Sequence, residues 1–181
     1  MVPEAYIRRG EDGLVPEGDG WYVLNARDAR WREREGLGRW CFLEAEPIPT
    51  MFKTLGFQLC VMDPGQPACM YHGESGQEYF LVVAGECVLV IEGEERPLNQ
   101  WDFVHCPPWT NHVFVGAGTG PCVVVMVGSR NDDPGGIIYP VSEVAARRGA
   151  SVETETPEPA EAYAPYARTV GPYRAGDLPD A

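Results

Sequence analysis

From Leu55 to Val127 short apolar runs alternate with turn residues. The runs are Leu55 to Met62, Cys69 to His72, Tyr79 to Val83, Cys87 to Ile91, Asp102 to Cys106, His112 to Val115 and Cys122 to Val127. They are rich in β-branched and aromatic residues and recur about every ten residues, which is the pattern of an all-β domain. Between them stand Pro64-Gly65, Ala84-Gly85, Glu92-Gly93-Glu94, Pro107-Pro108 and the stretch from Gly116 to Pro121, each a source of positive φ or of a proline-fixed φ. No run there sustains a 3.6-residue period long enough for a helix. Strands this short and apolar need both faces covered and no open edge, so residues 50–130 are expected to close into an antiparallel β-barrel of two facing sheets.

The flanks read differently. Residues 1–20 are rich in Gly, Pro and charge and predict a loose arm, with order beginning at Trp21. Asn25 or Asp28 is placed to cap a short helix through Ala29, Trp31 and Glu35, ended by Gly36 and Gly38, and a short strand from Trp40 to Leu43 follows. Pro47 and Pro49 then break the chain. Beyond the barrel, Asp133-Pro134-Gly135-Gly136 breaks it again, and Ser142 and Gly149 are suited to cap the two ends of a helix. Residues 151–162 carry Glu153, Glu155, Glu158 and Glu161 and no basic residue. That end predicts an extended arm, either wrapped round a partner subunit or unfolded. Three segments result: an arm over 1–49, the barrel over 50–130 and a C-terminal extension over 131–181.

Charge narrows the partners. The 181 residues carry a formal net charge of −13 with no basic cluster, so phosphate backbones and anionic lipid surfaces are repelled. The first twenty residues contain no apolar run, so neither a signal peptide nor a membrane span is expected there, and the cytoplasm is the expected location. Six cysteines, never in a C-x-x-C pair and mostly inside apolar runs, read as reduced small hydrophobes. Trp21, Tyr22, Trp31, Trp40, Tyr163 and Tyr166 lie in the flanks, more aromatic surface than one small barrel is expected to bury, which suggests a homodimer.

Histidine is scarce: His72, His105 and His112. Strand alternation points His72 and Glu74 the same way, and Glu78 keeps that parity across Ser75-Gly76-Gln77. His112 opens a later strand that a barrel can bring alongside. Imidazoles and carboxylates converging in an apolar interior need a compensating charge, and a divalent cation supplies it. His105, just before Cys106-Pro107, reads as structural. Trp109, on the turn into the His112 strand, either overhangs the barrel mouth or packs on a neighbouring subunit. Arg130 is placed to meet an anionic substrate or to form a surface ion pair.

These residues resemble the two motifs of the cupin superfamily. Residues 65–85, with His72, Glu74, Glu78 and Gly85, are similar to the first, G-x5-H-x-H-x3,4-E-x6-G. Residues 101–116, with Pro107 and His112, are similar to the second, G-x5-P-x-G-x2-H-x3-N. The chain departs from them in an extra residue between Gly65 and His72, Glu74 at the second histidine, Trp101 and Trp109 at two glycines, and Gly116 at the asparagine. The resemblance implies a jelly-roll barrel, with short flanking helices and terminal arms around it. It also implies a divalent metal held by His72, Glu78 and His112, with Glu74 exchanged in as a fourth ligand. Mn, Fe, Zn or Ni suits such donors. If it stays uncoordinated, Glu74 is a candidate general base.

The same barrel serves many chemistries, so function must come from the site. A metal with open positions suits a small-molecule enzyme of dioxygenase or isomerase type, with O2 activation or Lewis-acid polarisation as its chemistry. The alternatives are a barrel that captures a small ligand without turnover, and a structural or regulatory oligomer.

Overall fold

The structure, a computed structural model, describes residues 1–45, 54–130 and 136–180. An N-terminal hairpin pairs β1 (Tyr6–Gly10) with β2 (Gly13–Glu17). There follow β3 (Trp31–Arg34), β4 (Arg39–Phe42), β5 (Leu55–Met62), β6 (Gly73–Glu74), β7 (Glu78–Ala84), β8 (Glu86–Ile91) and β9 (Glu94–Leu98). Then come β10 (Phe103–Cys106), β11 (His112–Ala117), β12 (Cys122–Ser129), β13 (Ile137–Ile138), α1 (Glu143–Ala146), α2 (Pro159–Ala162) and β14 (Arg168–Gly171). One sheet runs β10-β7-β12-β5-β4-β3-β14 and faces a second of order β11-β8-β9, with every ladder antiparallel.

Strand alternation builds the core. Phe80 and Val82 of β7 point inward with Val124 and Met126 of β12, and they meet Cys87 and Leu89 of β8 and Phe114 of β11 from the other sheet. Tyr79, next in line, points out. The turn glycines act as their positions require: at Gly85, φ is +72° and an added Cβ would stand 2.4 Å from the Pro121 carbonyl oxygen.

Several flanking expectations are overturned. The first twenty residues are not a loose arm, since Tyr6 to Glu17 form the hairpin. No helix forms between Asn25 and Glu35. The Asn25 side chain accepts a hydrogen bond from the Arg27 amide at 2.9 Å, which closes a turn, and Trp31–Arg34 is a strand. A short helix gains little stability on its own, whereas β3 seats Trp31 against Cys41 and Val61. Cys69 to Tyr71 are not in a strand, and the short ladder starts one residue after His72. β9 escaped the sequence because its charges and Pro97 resemble a loop; Pro97 sits on an edge strand, where a missing N–H costs nothing.

The C-terminal extension is not an extended arm. β14 pairs with β3 of the same chain, and Tyr139, Ala162 and Tyr163 pack on Leu37 and Met70. Asp177, 2% exposed, receives Arg39 Nε at 2.7 Å and Nη2 at 2.9 Å, which pins the tail to the barrel. As expected, Ser142 Oγ accepts from the Ala145 amide at 3.2 Å to cap α1, and Gly149 follows with φ +70°. Pro47, Pro49 and Asp133-Pro134-Gly135 lie outside the described residues. The flanking aromatics are largely absorbed by the chain itself: Trp31 is buried, Trp40, Tyr163 and Tyr166 pack on core clusters, and the Tyr22 hydroxyl donates to the Leu43 carbonyl. Trp21 stays exposed.

Candidate metal centre

His72 and His112 face each other across an isolated antiparallel bridge, the amide of each donating to the carbonyl of the other at 3.2 and 2.8 Å. Directly paired residues project to the same side, and the two ring centroids lie 5.0 Å apart. Each ring is held by its Nδ1–H. His72 donates it to the Met70 carbonyl at 2.7 Å and His112 to the Thr110 carbonyl at 3.0 Å. A backbone acceptor at Nδ1 fixes the tautomer and leaves the Nε2 lone pair free on the other side, the arrangement that metal-binding histidines use.

The carboxylates stand at those Nε2 atoms. Glu78, at the start of β7, places Oε2 3.7 Å from His112 Nε2, and Glu74, in β6, places Oε1 3.5 Å from His72 Nε2. Ligand atoms of His72, Glu78 and His112 all lie within 4.8 Å of one another. Glu74 is outside that trio, and its side chain is 37% exposed against 13% for Glu78. The four residues foreseen from the sequence are thus brought together, three as a compact group and the fourth at its open side.

The electrostatics are those of a crowded site. Burial, then the Glu74 charge, push the Glu78 carboxyl up to about 7 against the pull of His72. Burial, then the charge on His72, push His112 down to about 4. Burial would raise Glu74, but the hydrogen bond and charge of His72 hold it below the usual carboxylate range. Burial opposes charge on His72 too, yet Cys69 and then Glu74 hold it well above the usual imidazole value. The cluster therefore retains positive charge beside its carboxylates, and its two imidazoles do not both carry a proton easily.

The centre borders a cavity of about 390 Å³, walled by Trp40, Phe80, Phe114, Met126, Tyr139 and Tyr163 among others. Several lining residues escaped the sequence reading. Gln58 shares strand parity with Cys60 and Met62, so its inward direction was legible. Arg32 and Arg34 were misread with the helix. Tyr139 and Tyr163 arrive from the folded-back C-terminus, which nothing local announces. His105 lies away from the cavity and stacks on Tyr79 at 5.0 Å, as a structural residue would. Arg130 does form an ion pair: Nη2 meets both Glu44 oxygens at 2.6 Å. Trp109 does not line the cavity; its φ of +66° and that of Trp101, +77°, keep the backbone shape of the glycines they replace. The Trp109 amide donates to the Glu74 carbonyl at 2.6 Å, so that turn positions β6.

Residues 58–128 match the family model described as Cupin domain. Among solved structures, a cupin 2 domain-containing protein from Halorhodospira halophila is 20% identical with a TM-score of 0.51, over 66% of this chain and 81% of that one. The polyketide cyclase RemF from Streptomyces resistomycificus is 14% identical with a TM-score of 0.53, over 63% and 82%. A putative sugar phosphate isomerase from Acidithiobacillus ferrooxidans ATCC 23270 is 22% identical with a TM-score of 0.46, over 55% of this chain and 63% of its own length. At these identities the likeness is one of fold. No curated protein matches the sequence.

Proposed function

With residues 58–128 a domain of the cupin superfamily, we propose that the barrel holds one divalent transition-metal ion through His72, Glu78 and His112 and acts on a small molecule admitted to the cavity. Glu74 completes the site as fourth ligand or adjoining base. The observation that carries this reading is the anchoring of both imidazoles through Nδ1, which turns two Nε2 atoms toward two carboxylates in one cluster at the cavity. Imidazole and carboxylate donors suit Mn, Fe, Zn or Ni. The ion would supply Lewis acidity and open coordination positions for a substrate oxygen or for O2. The chain's own side chains do the rest: Phe80, Phe114, Tyr139 and Tyr163 exclude water, and Glu74 stands where it can accept a proton.

An oxygenase or isomerase type of reaction fits such a centre. A barrel of this fold carries catalysis in the polyketide cyclase, so the fold is compatible with turnover. Elemental analysis of anaerobically purified protein, followed by spectra and turnover assays with small acids, sugars and phenols, tests the proposal. One ion per chain with substrate-dependent spectra is expected. A bound ion with no turnover of any probe would favour ligand capture, and no ion after reconstitution would overturn the reading.

A homodimer is the proposed assembly, supported by the exposed stack of Tyr79, Phe103 and His105 beside edge strand β10; sedimentation showing only monomer at micromolar concentration would overturn it. The six free cysteines support a reducing compartment, the cytoplasm. No described helix is long and apolar enough to cross a membrane.

A further inference from the structure

Resting on the reading of this cavity as the ligand site, we infer that its ligand is an organic anion with an apolar body, whose carboxylate or phosphoryl group is read by Arg32, Arg34 and Arg168. Arg32 and Arg34 stand two residues apart in β3 and so share a face. Arg168 of β14 is paired directly opposite Arg34, on that same face. Trp40 is paired opposite Arg32, and all four side chains line the cavity that holds the His–Glu centre.

Like charges placed directly across a ladder destabilise it, so this arrangement is unfavourable until something negative enters. The chain has only 14 Lys and Arg against 27 Asp and Glu, yet three of the arginines gather on one cavity wall. Among the described residues no carboxylate pairs with Arg34 or Arg168, and of the acidic groups that border the cavity Glu74 and Glu78 stand at the two imidazoles. Glu33 also borders the cavity and accepts from Thr169 Oγ1 at 3.4 Å, while Glu44 is already taken by Arg130. Arg34 is held by neutral partners: Nη1 donates to the Tyr166 carbonyl at 3.0 Å, and the guanidinium lies 4.5 Å from the Tyr163 ring centroid. The Arg168 side chain makes no hydrogen bond or ion pair among the described residues. A planar guanidinium group is shaped to grip carboxylate or phosphoryl oxygens in pairs.

The rest of the cavity describes the remainder of the ligand. Trp40, Phe80, Phe114 and Met126 offer an apolar wall for a ring or chain. Gln58 Oε1 lines the same cavity and is buried with no hydrogen-bond partner among the described residues, so a hydroxyl or N–H on the ligand would complete it.

Calorimetry on the full chain, metal-loaded and metal-stripped, with benzoate, phenyl phosphate and neutral benzamide tests this. At least one anion should bind about tenfold more tightly than benzamide, and Arg168→Gln should weaken it about tenfold while leaving benzamide unchanged. The preferred anion identifies the group as carboxylate or phosphoryl. Arg168 is exposed, so its variant is expected to fold; Arg34→Gln is the second probe. Benzamide binding as tightly as both anions, an unchanged anion affinity in both variants, or no saturable anion binding at millimolar concentration would each overturn the inference. Metal content measured on the same samples separates the two readings. Anion preference in a protein that takes up no metal sinks only the metal proposal, and a full metal complement without anion preference sinks only this one.

Discussion

His72 and His112 are backbone partners before they are anything else: each amide donates to the other's carbonyl, at 3.2 and 2.8 Å, and each ring is then turned by a carbonyl two residues earlier in its own segment. Side-chain geometry at the centre is therefore set by main-chain hydrogen bonds on both sides. Such a site is formed by folding and does not wait for the ion to assemble it.

Loss of either imidazole should accordingly empty the site. His72→Ala and His112→Ala are each expected to weaken metal binding by more than about 100-fold, beyond the usual loss for an outer-sphere partner. His105→Ala should leave occupancy unchanged, because that ring stacks on Tyr79 away from the cavity. Metal analysis after dialysis against a weak chelator reads all three. Retention of full occupancy in both alanine variants would move the site elsewhere.

The tail is fastened by charge. Arg39 lies between Asp177 and Asp63, and Arg174 bridges the same two carboxylates. Asp177→Asn should cost about 3 kcal/mol of stability in denaturant unfolding, the lower end for a broken buried pair, since Asp63 still faces Arg39. The hydrogen bond from Arg39 holds Asp63 below its usual value. A depressed carboxyl contributes stability above its unfolded pKa and loses it as pH falls through the folded one. The tail should therefore loosen only in acid, below about pH 4.

Trp101 is strained and mostly exposed, with φ +77° and 67% of its surface in solvent. Trp101→Gly should stabilise the fold by about 1 kcal/mol, because relief of left-handed strain exceeds the added chain entropy of glycine. Gly85→Ala should do the reverse and cost about 1–3 kcal/mol, since its Cβ would collide with the Pro121 carbonyl. Thermal unfolding of both variants checks the pair of signs.

The barrel and its site were legible because they rest on local signals: period-two apolar runs, turn glycines and the parity of His72, Glu74 and Glu78. The flanks were misread where tertiary partners decide. Trp31 and Arg34 have no strand signature on their own, and become a strand because β4, which follows directly, pairs with one side and β14, over 100 residues away in sequence, pairs with the other. Arg39 and Asp177, 138 residues apart, could not be matched by reading along the chain. The arginine wall was hidden for the same reason, since Arg168 meets Arg34 only once the tail folds back.

Glu74 remains the residue on which the chemistry turns. Its Oε1 stands 3.5 Å from His72 Nε2, much as Glu78 Oε2 stands 3.7 Å from His112 Nε2, so each carboxylate bears the same relation to one imidazole Nε2. Strand geometry, which aims positions 72 and 74 at the same point, favours ligation, with Glu74 joining from outside the compact group of His72, Glu78 and His112. Ligation would replace a neutral donor by an anion and lower the acidity of a bound water, which suits substrate chelation better than hydroxide formation. The greater exposure of Glu74 makes it the more exchangeable of the two carboxylates. Glu74→Gln should then weaken metal binding about 10–100-fold, and Glu74→His should retain the ion. Should Glu74→Gln keep full metal affinity while an assayable turnover disappears, the carboxylate is a proton acceptor beside the ion, and the three-residue group of His72, Glu78 and His112 alone holds the metal.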